Sequence, residues 1–186
     1  SLHSVRNLNL GGGHYFTHPD YDVTALIDAI KRLKDDFDLQ VILEPGGALV
    51  YDSGYLVASV LDIISRGETA IAILDTSATC HMPDVLEVPY TPEVMGAKIA
   101  ALSSSAPSTI LTGKTCLTGD VIGEYQFNTP LQIGDKVVFN DMMQYTMVKN
   151  TTFNGMPLPD IGVLEEDGSY CVVKSFGYED FKMRLS

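Results

Sequence analysis

Near the amino end, apolar Leu8 and Leu10 alternate with polar Asn7 and Asn9, so residues 2–10 are predicted to form a strand. Gly11, Gly12 and Gly13 then turn the chain into a loop over residues 14–21. From there the period changes. Leu26, Ile27, Ile30, Leu33 and Phe37 recur at helical spacing, with Asp28, Lys31, Lys34 and Asp35 on the opposite face. Asp22 or Thr24 can cap this helix, which is expected to end near residues 36–38. Residues 39–43 are almost wholly apolar, as a parallel strand buried on both faces would be. The result is one strand–helix–strand unit with short connections.

Beyond Pro45-Gly46-Gly47 the pattern becomes that of short strands. Residues 55–64 and 70–74 read as two strands joined by the turn Ser65-Arg66-Gly67-Glu68. Residues 83–107, rich in Pro, Ser and Ala, are expected to be mostly loop. Further strands are expected around residues 108–111, 136–139, 144–149 and 170–174, with a turn signal at Pro130-Leu131-Gln132-Ile133-Gly134-Asp135. A strand–helix–strand unit followed by runs of strands predicts an α/β plus β architecture in two parts: 1–50, the end of an α/β barrel, and 51–186, a β-rich domain. The boundary is expected near residues 51–55, and there is no internal repeat. Two such strands cannot close an eight-strand barrel by themselves.

Composition narrows the function classes. The 45% apolar content is ample for a core, and no stretch is long and apolar enough to span a bilayer. A net charge of −12 argues against nucleic acid or an anionic membrane as partner and is compatible with a cationic ligand, although acidity alone also serves solubility. Cys80, Cys116 and Cys171 are odd in number and far apart, which fits reduced thiols and a cytoplasmic location. The separations of His14, His18 and His81 fit no common metal motif.

Candidate chemistry begins at the glycines. A strand running into Gly11-Gly12-Gly13 is either a tight connection or a phosphate cradle, because glycine lets backbone N–H groups approach an anion. Glu44 places a carboxylate at the carboxyl end of the next strand, the active-site face of an α/β barrel.

The segments GGGH and LEPG, followed by LDTSATCHMPD, TCLTGD and YTMVKNTTFNG, resemble the fold-type-III pyridoxal-phosphate (PLP) decarboxylases. Within that family the resemblance is to the carboxynorspermidine branch, over the carboxyl-terminal half of such an enzyme. It implies the end of an alanine-racemase-like barrel followed by a β-rich domain. It also implies PLP as cofactor, and loss of an α-carboxylate from carboxynorspermidine or carboxyspermidine in polyamine synthesis. A homodimer with shared active sites is expected. None of the lysines here lies in the amino-terminal motif where the family keeps its PLP lysine, so the missing half is expected to supply it and the isolated chain to be inactive. The chain begins Ser-Leu-His, without Met, and its amino terminus is expected to lie upstream.

The resemblance assigns roles residue by residue. Gly11, Gly12 and Gly13 match the phosphate loop, and Glu44 the carboxylate that keeps the pyridine ring protonated. Tyr145 matches a phosphate-binding tyrosine; a Tyr in an apolar strand is otherwise core. Cys116 matches a thiol that returns a proton to the substrate carbon from the partner subunit, against the alternative of a small buried residue. Asp75, Asp84 and Asp120 are expected to favour the cationic polyamine tail, although an Asp at such positions can also be a loop cap or a solvated charge. Two departures matter. Leu117 follows the cysteine where ornithine decarboxylases have Asp, and Gly47 stands where related enzymes often have a substrate-contacting Glu. The alternatives are a diaminopimelate-type decarboxylase, disfavoured because no arginine lies in the specificity segment, and a non-catalytic paralogue that binds a partner.

Overall fold

The computed structural model describes residues 4–67, 69–88, 90–101 and 106–185. The chain divides into two compact units, Ser1–Gly54 and Tyr55–Ser186.

In the first unit, β1 (Asn7–Asn9) and β2 (Gln40–Ile42) are parallel, with Asn7 opposite Gln40 and Asn9 opposite Ile42. Helix α1 (Val23–Phe37) connects them and packs on β2. Asp22 is its cap: the carboxylate accepts from the N–H of Ala25 at 2.8 Å, while Asp38, in the left-handed region (φ 53°), ends the helix. The helical period is therefore as read from the sequence, but the expected full burial of the second strand is not found. Val41 is only half-buried and Ile42 is exposed, because among the described residues β1 is the one strand beside β2 and α1 is the helix that packs on it. Residues 1–3 of the expected first strand lie outside the described residues. A short turn, α2 (Gly46–Leu49), follows, and its Ala48 is buried.

The second unit is built on a six-stranded mixed sheet in the order β5–β7–β6–β4–β3–β8. Its elements are β3 (Leu56–Arg66), β4 (Thr69–Leu74), α3 (Ala78–His81), α4 (Asp84–Glu87), β5 (Ala97–Ile99), β6 (Ser108–Thr112), β7 (Val121–Phe127) and β8 (Lys136–Phe139). Of these neighbours, only β4 and β6 run parallel. The segment entering β5 also bonds to the far edge: Val94 bridges Phe139, and Met95 N donates to Val138 O. One stretch of chain thus pairs with both β7 and β8 and links the two ends of the sheet.

Alternation sends Leu56, Ala58, Val60, Ala72, Leu74, Leu111, Val137 and Phe139 inward, with Tyr125 across from them. Burying each large side chain here contributes roughly 1.5–3 kcal/mol. The buried Tyr125 hydroxyl donates to Pro92 O at 2.7 Å.

After the sheet come α5 (Tyr145–Val148), a tight turn at Phe153–Gly155, the antiparallel pair β9 (Ile161–Leu164) and β10 (Tyr170–Lys174), and α6 (Tyr178–Leu185). Residues 144–149 do not form the expected strand. They make a helical turn whose last carbonyls, those of Thr146 and Met147, accept from the Asn150 side-chain amide. Within residues 83–107, α4 and β5 interrupt the expected loop, and residues 89 and 102–105 lie outside the described set, as does Glu68 of the expected turn. Strand β7 was not expected, because Gly123 breaks its apolar alternation. A Cβ there would lie 2.7 Å from Thr91 Cγ2, so the glycine is required by packing.

Candidate active site

The candidate residues fall into three clusters, one in the first unit and two in the second. In the first, parallel β1 and β2 end together and place the glycines beside Glu44. Glu44 N donates to Gly11 O at 2.8 Å. Asn9, not singled out from the sequence, ties both parts: its Nδ2 donates to Glu44 Oε1 at 2.7 Å, and its Oδ1 accepts from Gly11 N at 2.7 Å. Gly11 and Gly13 have φ of 72° and 81°, which an L side chain rarely adopts. A Cβ on Gly12 would lie 2.9 Å from the carbonyl oxygen of Glu44. The Gly11 N–H is thus committed to Asn9, leaving those of Gly12 and Gly13 as the amides that can meet an anion. Beyond them, His14 Nδ1 lies 3.0 Å from the Tyr21 hydroxyl.

The second cluster is a clamp around α3. Asp120 is buried, and its carboxylate accepts from Ser77 Oγ (2.9 Å to each oxygen), Thr115 Oγ1 (2.7 Å), Thr115 N (3.2 Å) and Thr79 N (3.3 Å). In this geometry the oxygens of Asp120 are taken up by the protein's own donors. It joins the 113–120 loop to α3. The other end of α3 grips the segment after α5. Thr151 N donates to Cys80 O at 2.9 Å, and the buried Cys80 thiol donates to Phe153 O at 3.5 Å. His81 Nε2–H donates to Pro157 O at 3.0 Å, so its Nδ1 accepts from Thr76 Oγ1 at 2.9 Å. Burial outweighs the hydrogen bond to Pro157 and nearby Asp120 and Asp75, and holds His81 below its ordinary pKa.

The clamp brings two distant motifs together. Cys116 is exposed, and its thiol lies 3.4 Å from Asn154 Oδ1, in the left-handed turn after Phe153. Asn154 was missed by sequence reasoning, although it stands in the quoted TFNG segment.

In the third cluster Lys149 pairs with Asp84 and, at 2.6 Å, with Glu87, both on α4, and its ammonium lies 5.5 Å from the Tyr145 ring centroid. Hydrogen bonds first to Asp84 and then to Glu87 push Lys149 above its ordinary pKa. Two carboxylates around one ammonium leave a net negative charge. Tyr145 is 59% exposed rather than part of the core. Asp75 extends the β3–β4 ladder: its carboxylate accepts from Ser59 N at 2.7 Å, and its own N–H donates to Ser59 O at 3.1 Å.

These elements define the carboxyl-terminal sheet domain of a PLP-dependent decarboxylase. The chain belongs to the family described as pyridoxal-dependent decarboxylase, C-terminal sheet domain, which it matches over residues 21–143. Among individual relatives, it is 47% identical to the carboxynorspermidine/carboxyspermidine decarboxylase of Campylobacter jejuni, over 95% of this chain and 48% of that protein. It is 45% identical to the carboxyaminopropylagmatine decarboxylase of Synechocystis, over 99% of this chain and 47% of that protein. The crystal structure of Campylobacter jejuni carboxynorspermidine decarboxylase complexed with norspermidine superposes with a TM-score of 0.81 at 45% identity, covering 98% of this chain and 52% of that one. The chain spans about half the length of these relatives.

Family membership implies PLP as the cofactor. The residues present fit it. Gly12 lies so close to the Glu44 carbonyl that only a glycine fits there, Gly13 has open space beside its Cα, and Asn9 fixes Glu44 Oε1 while Oε2 has no partner among the described residues.

Proposed function

We propose that this chain supplies the carboxyl-terminal half of a PLP-dependent decarboxylase acting on a carboxylated polyamine, carboxynorspermidine or carboxyspermidine. The observation that carries the reading is the geometry around Cys116. The thiol to which we assign proton return stands exposed on a loop fixed by a buried clamp, in a chain 47% identical to a carboxynorspermidine/carboxyspermidine decarboxylase. In this reading residues 1–50 are the last part of an α/β barrel, completed by a half that also supplies the PLP lysine, and residues 51–186 are the β-rich domain.

Bound PLP supplies an electron sink for the carbanion left when carbon dioxide departs. The chain's own residues do the rest. Glu44 Oε2 would accept from the protonated ring nitrogen, with Asn9 holding the carboxylate in place for it. The Gly12 and Gly13 N–H groups would hold the phosphate, with Gly11 making the turn, and Tyr145 is assigned as a further phosphate-binding hydroxyl. The Cys116 thiol would give its proton to the substrate carbon as the general acid. We assign this delivery across a homodimer interface. Asp84 with Glu87 attracts the cationic tail, whereas Asp120 and Asp75 shape the loops rather than contact substrate. Three free cysteines fit a cytoplasmic enzyme.

The test is carbon dioxide release from carboxynorspermidine by the complete protein, with and without PLP. Turnover that requires PLP supports the proposal. Absence of turnover with PLP bound overturns it.

A further inference from the structure

Cys116 is exposed on its loop, so what directs its sulfur is a contact from elsewhere in the chain. The chain provides one. Asn154 Oδ1 lies 3.4 Å from Cys116 Sγ although the two residues are 38 positions apart. Asn154 reaches that point through a left-handed backbone (φ 58°), followed by Gly155 at φ 71°. Asparagine is one of the few residues that adopts this conformation readily while carrying a polar group.

The turn is not free to drift. Cys80 holds it through the Phe153 carbonyl and the Thr151 N–H, and His81 through the Pro157 carbonyl. The cysteine loop is held as firmly, because Thr115, next to Cys116, donates twice to Asp120, which Ser77 and Thr79 fix to the same helix α3. Both partners of the contact are therefore anchored to one four-residue helix.

We infer that Asn154 is the positioning residue for the Cys116 thiol, its amide oxygen accepting the S–H hydrogen and fixing the direction of the sulfur. This rests on the proposal that Cys116 is the acid. The amide oxygen favours the protonated thiol. After the proton passes from sulfur to carbon, the same oxygen faces a thiolate it cannot donate to, which favours uptake of a replacement proton. Lys114 and Asp120, the charged groups of the same loop, are unchanged in the variants that test this.

The experiment uses the complete protein and peptide-resolved mass spectrometry of iodoacetamide labelling at pH 7.5. Asn154→Gly keeps the left-handed turn and deletes the acceptor; Asn154→Asp keeps the size and adds a charge. A weak hydrogen bond from the thiol corresponds to a change of about twofold to fivefold in thiolate population. Cys116 in Asn154→Gly is expected to react about twofold to fivefold faster than in the parent, and in Asn154→Asp more slowly, because a carboxylate beside sulfur disfavours the thiolate. Buried Cys80 is expected to stay unreactive in both. With carboxynorspermidine, Asn154→Gly is expected to lower kcat while KM and bound PLP are unchanged.

Equal or reversed Cys116 rates overturn the inference. So does exposure of Cys80, which makes Asn154 a loop-packing residue only. The labelling needs no turnover, so an inactive parent protein counts against the decarboxylase reading and not against the contact.

Discussion

Replacing Asp120 with Ala should open the loop that carries Cys116. The carboxylate satisfies four donor groups: the hydroxyls of Ser77 and Thr115 and the N–H groups of Thr79 and Thr115. In the variant the two hydroxyls can rotate to other acceptors, but the two N–H groups cannot, and each unsatisfied buried donor costs roughly 1–3 kcal/mol. Thr79 and Thr115 are only partly buried, so water relieves some of this, and removing a buried charge recovers part of its desolvation cost. The net loss in local stability is about 2–4 kcal/mol. Hydrogen exchange is the suitable assay, because it reads local opening without assuming two-state unfolding of a two-unit chain. Amides in residues 76–81 and 113–120 should exchange about 30 to 1,000 times faster, while those of β3 and β4 stay near the parent rate. Gly113→Ala should act in the same way, since a Cβ there would lie 2.1 Å from Asp120 Oδ2. Exposed Glu166→Ala, remote from such features, should change little. Parent-like exchange in both Asp120→Ala and Gly113→Ala would refute the clamp.

Other consequences are accessible to simpler measurements. His81 is held below its ordinary pKa of about 6.5, so in acid the unfolded chain binds a proton that the folded chain resists. Thermal stability should therefore decline as pH falls below about 6.5, and His81→Gln, whose amide can still donate to Pro157 O, should flatten that part of a Tm-against-pH plot. A Cβ on Gly12 meets the Glu44 carbonyl, so Gly12→Ala should weaken PLP binding by about tenfold or more in a fluorescence titration, a loss of about 1.4 kcal/mol or greater. In the complete protein, Glu44→Ala should lower turnover far more than PLP occupancy, since phosphate contacts survive while the ring becomes a poorer electron sink; near-parent turnover with PLP bound would remove Glu44 from the mechanism.

Local chemistry was the legible part of the sequence. The helical stripe from Leu26 to Phe37, its Asp22 cap and the β3–β4 pair follow from period and turn residues, because neighbours in sequence decide them. The link between the two ends of the sheet was not legible. It depends on residues 94 and 95 meeting β8 while 97–99 meet β7, a pairing between short segments with little alternation of their own. The segment at 144–149 misled because apolar residues there suggested a strand, whereas Asn150 caps a helical turn. At the candidate site, Glu44, Cys116 and the glycines were visible as residue types in quoted motifs. Their supports were not: Asn9, Asn154 and the Asp120 network act through contacts that spacing does not encode. Asp120 shows the difference best, because an Asp beside a candidate acid is equally a ligand or a loop tie until its donors are seen.

The central claim is that the complete protein removes carbon dioxide from a substrate with a cationic tail. The direct measurement compares kcat/KM for carboxynorspermidine, carboxyspermidine, carboxyaminopropylagmatine, meso-diaminopimelate and ornithine under one set of conditions. The carboxylates at Asp84 and Glu87 leave a net negative charge around Lys149, whose ammonium is already paired with both, so if the substrate tail lies there, as proposed, the second carboxylate of diaminopimelate would stay unpaired. An unpaired charge of that kind costs about 2–3 kcal/mol, so a carboxylated polyamine should be preferred over diaminopimelate by about a hundredfold. A preference for diaminopimelate or ornithine would contradict the account.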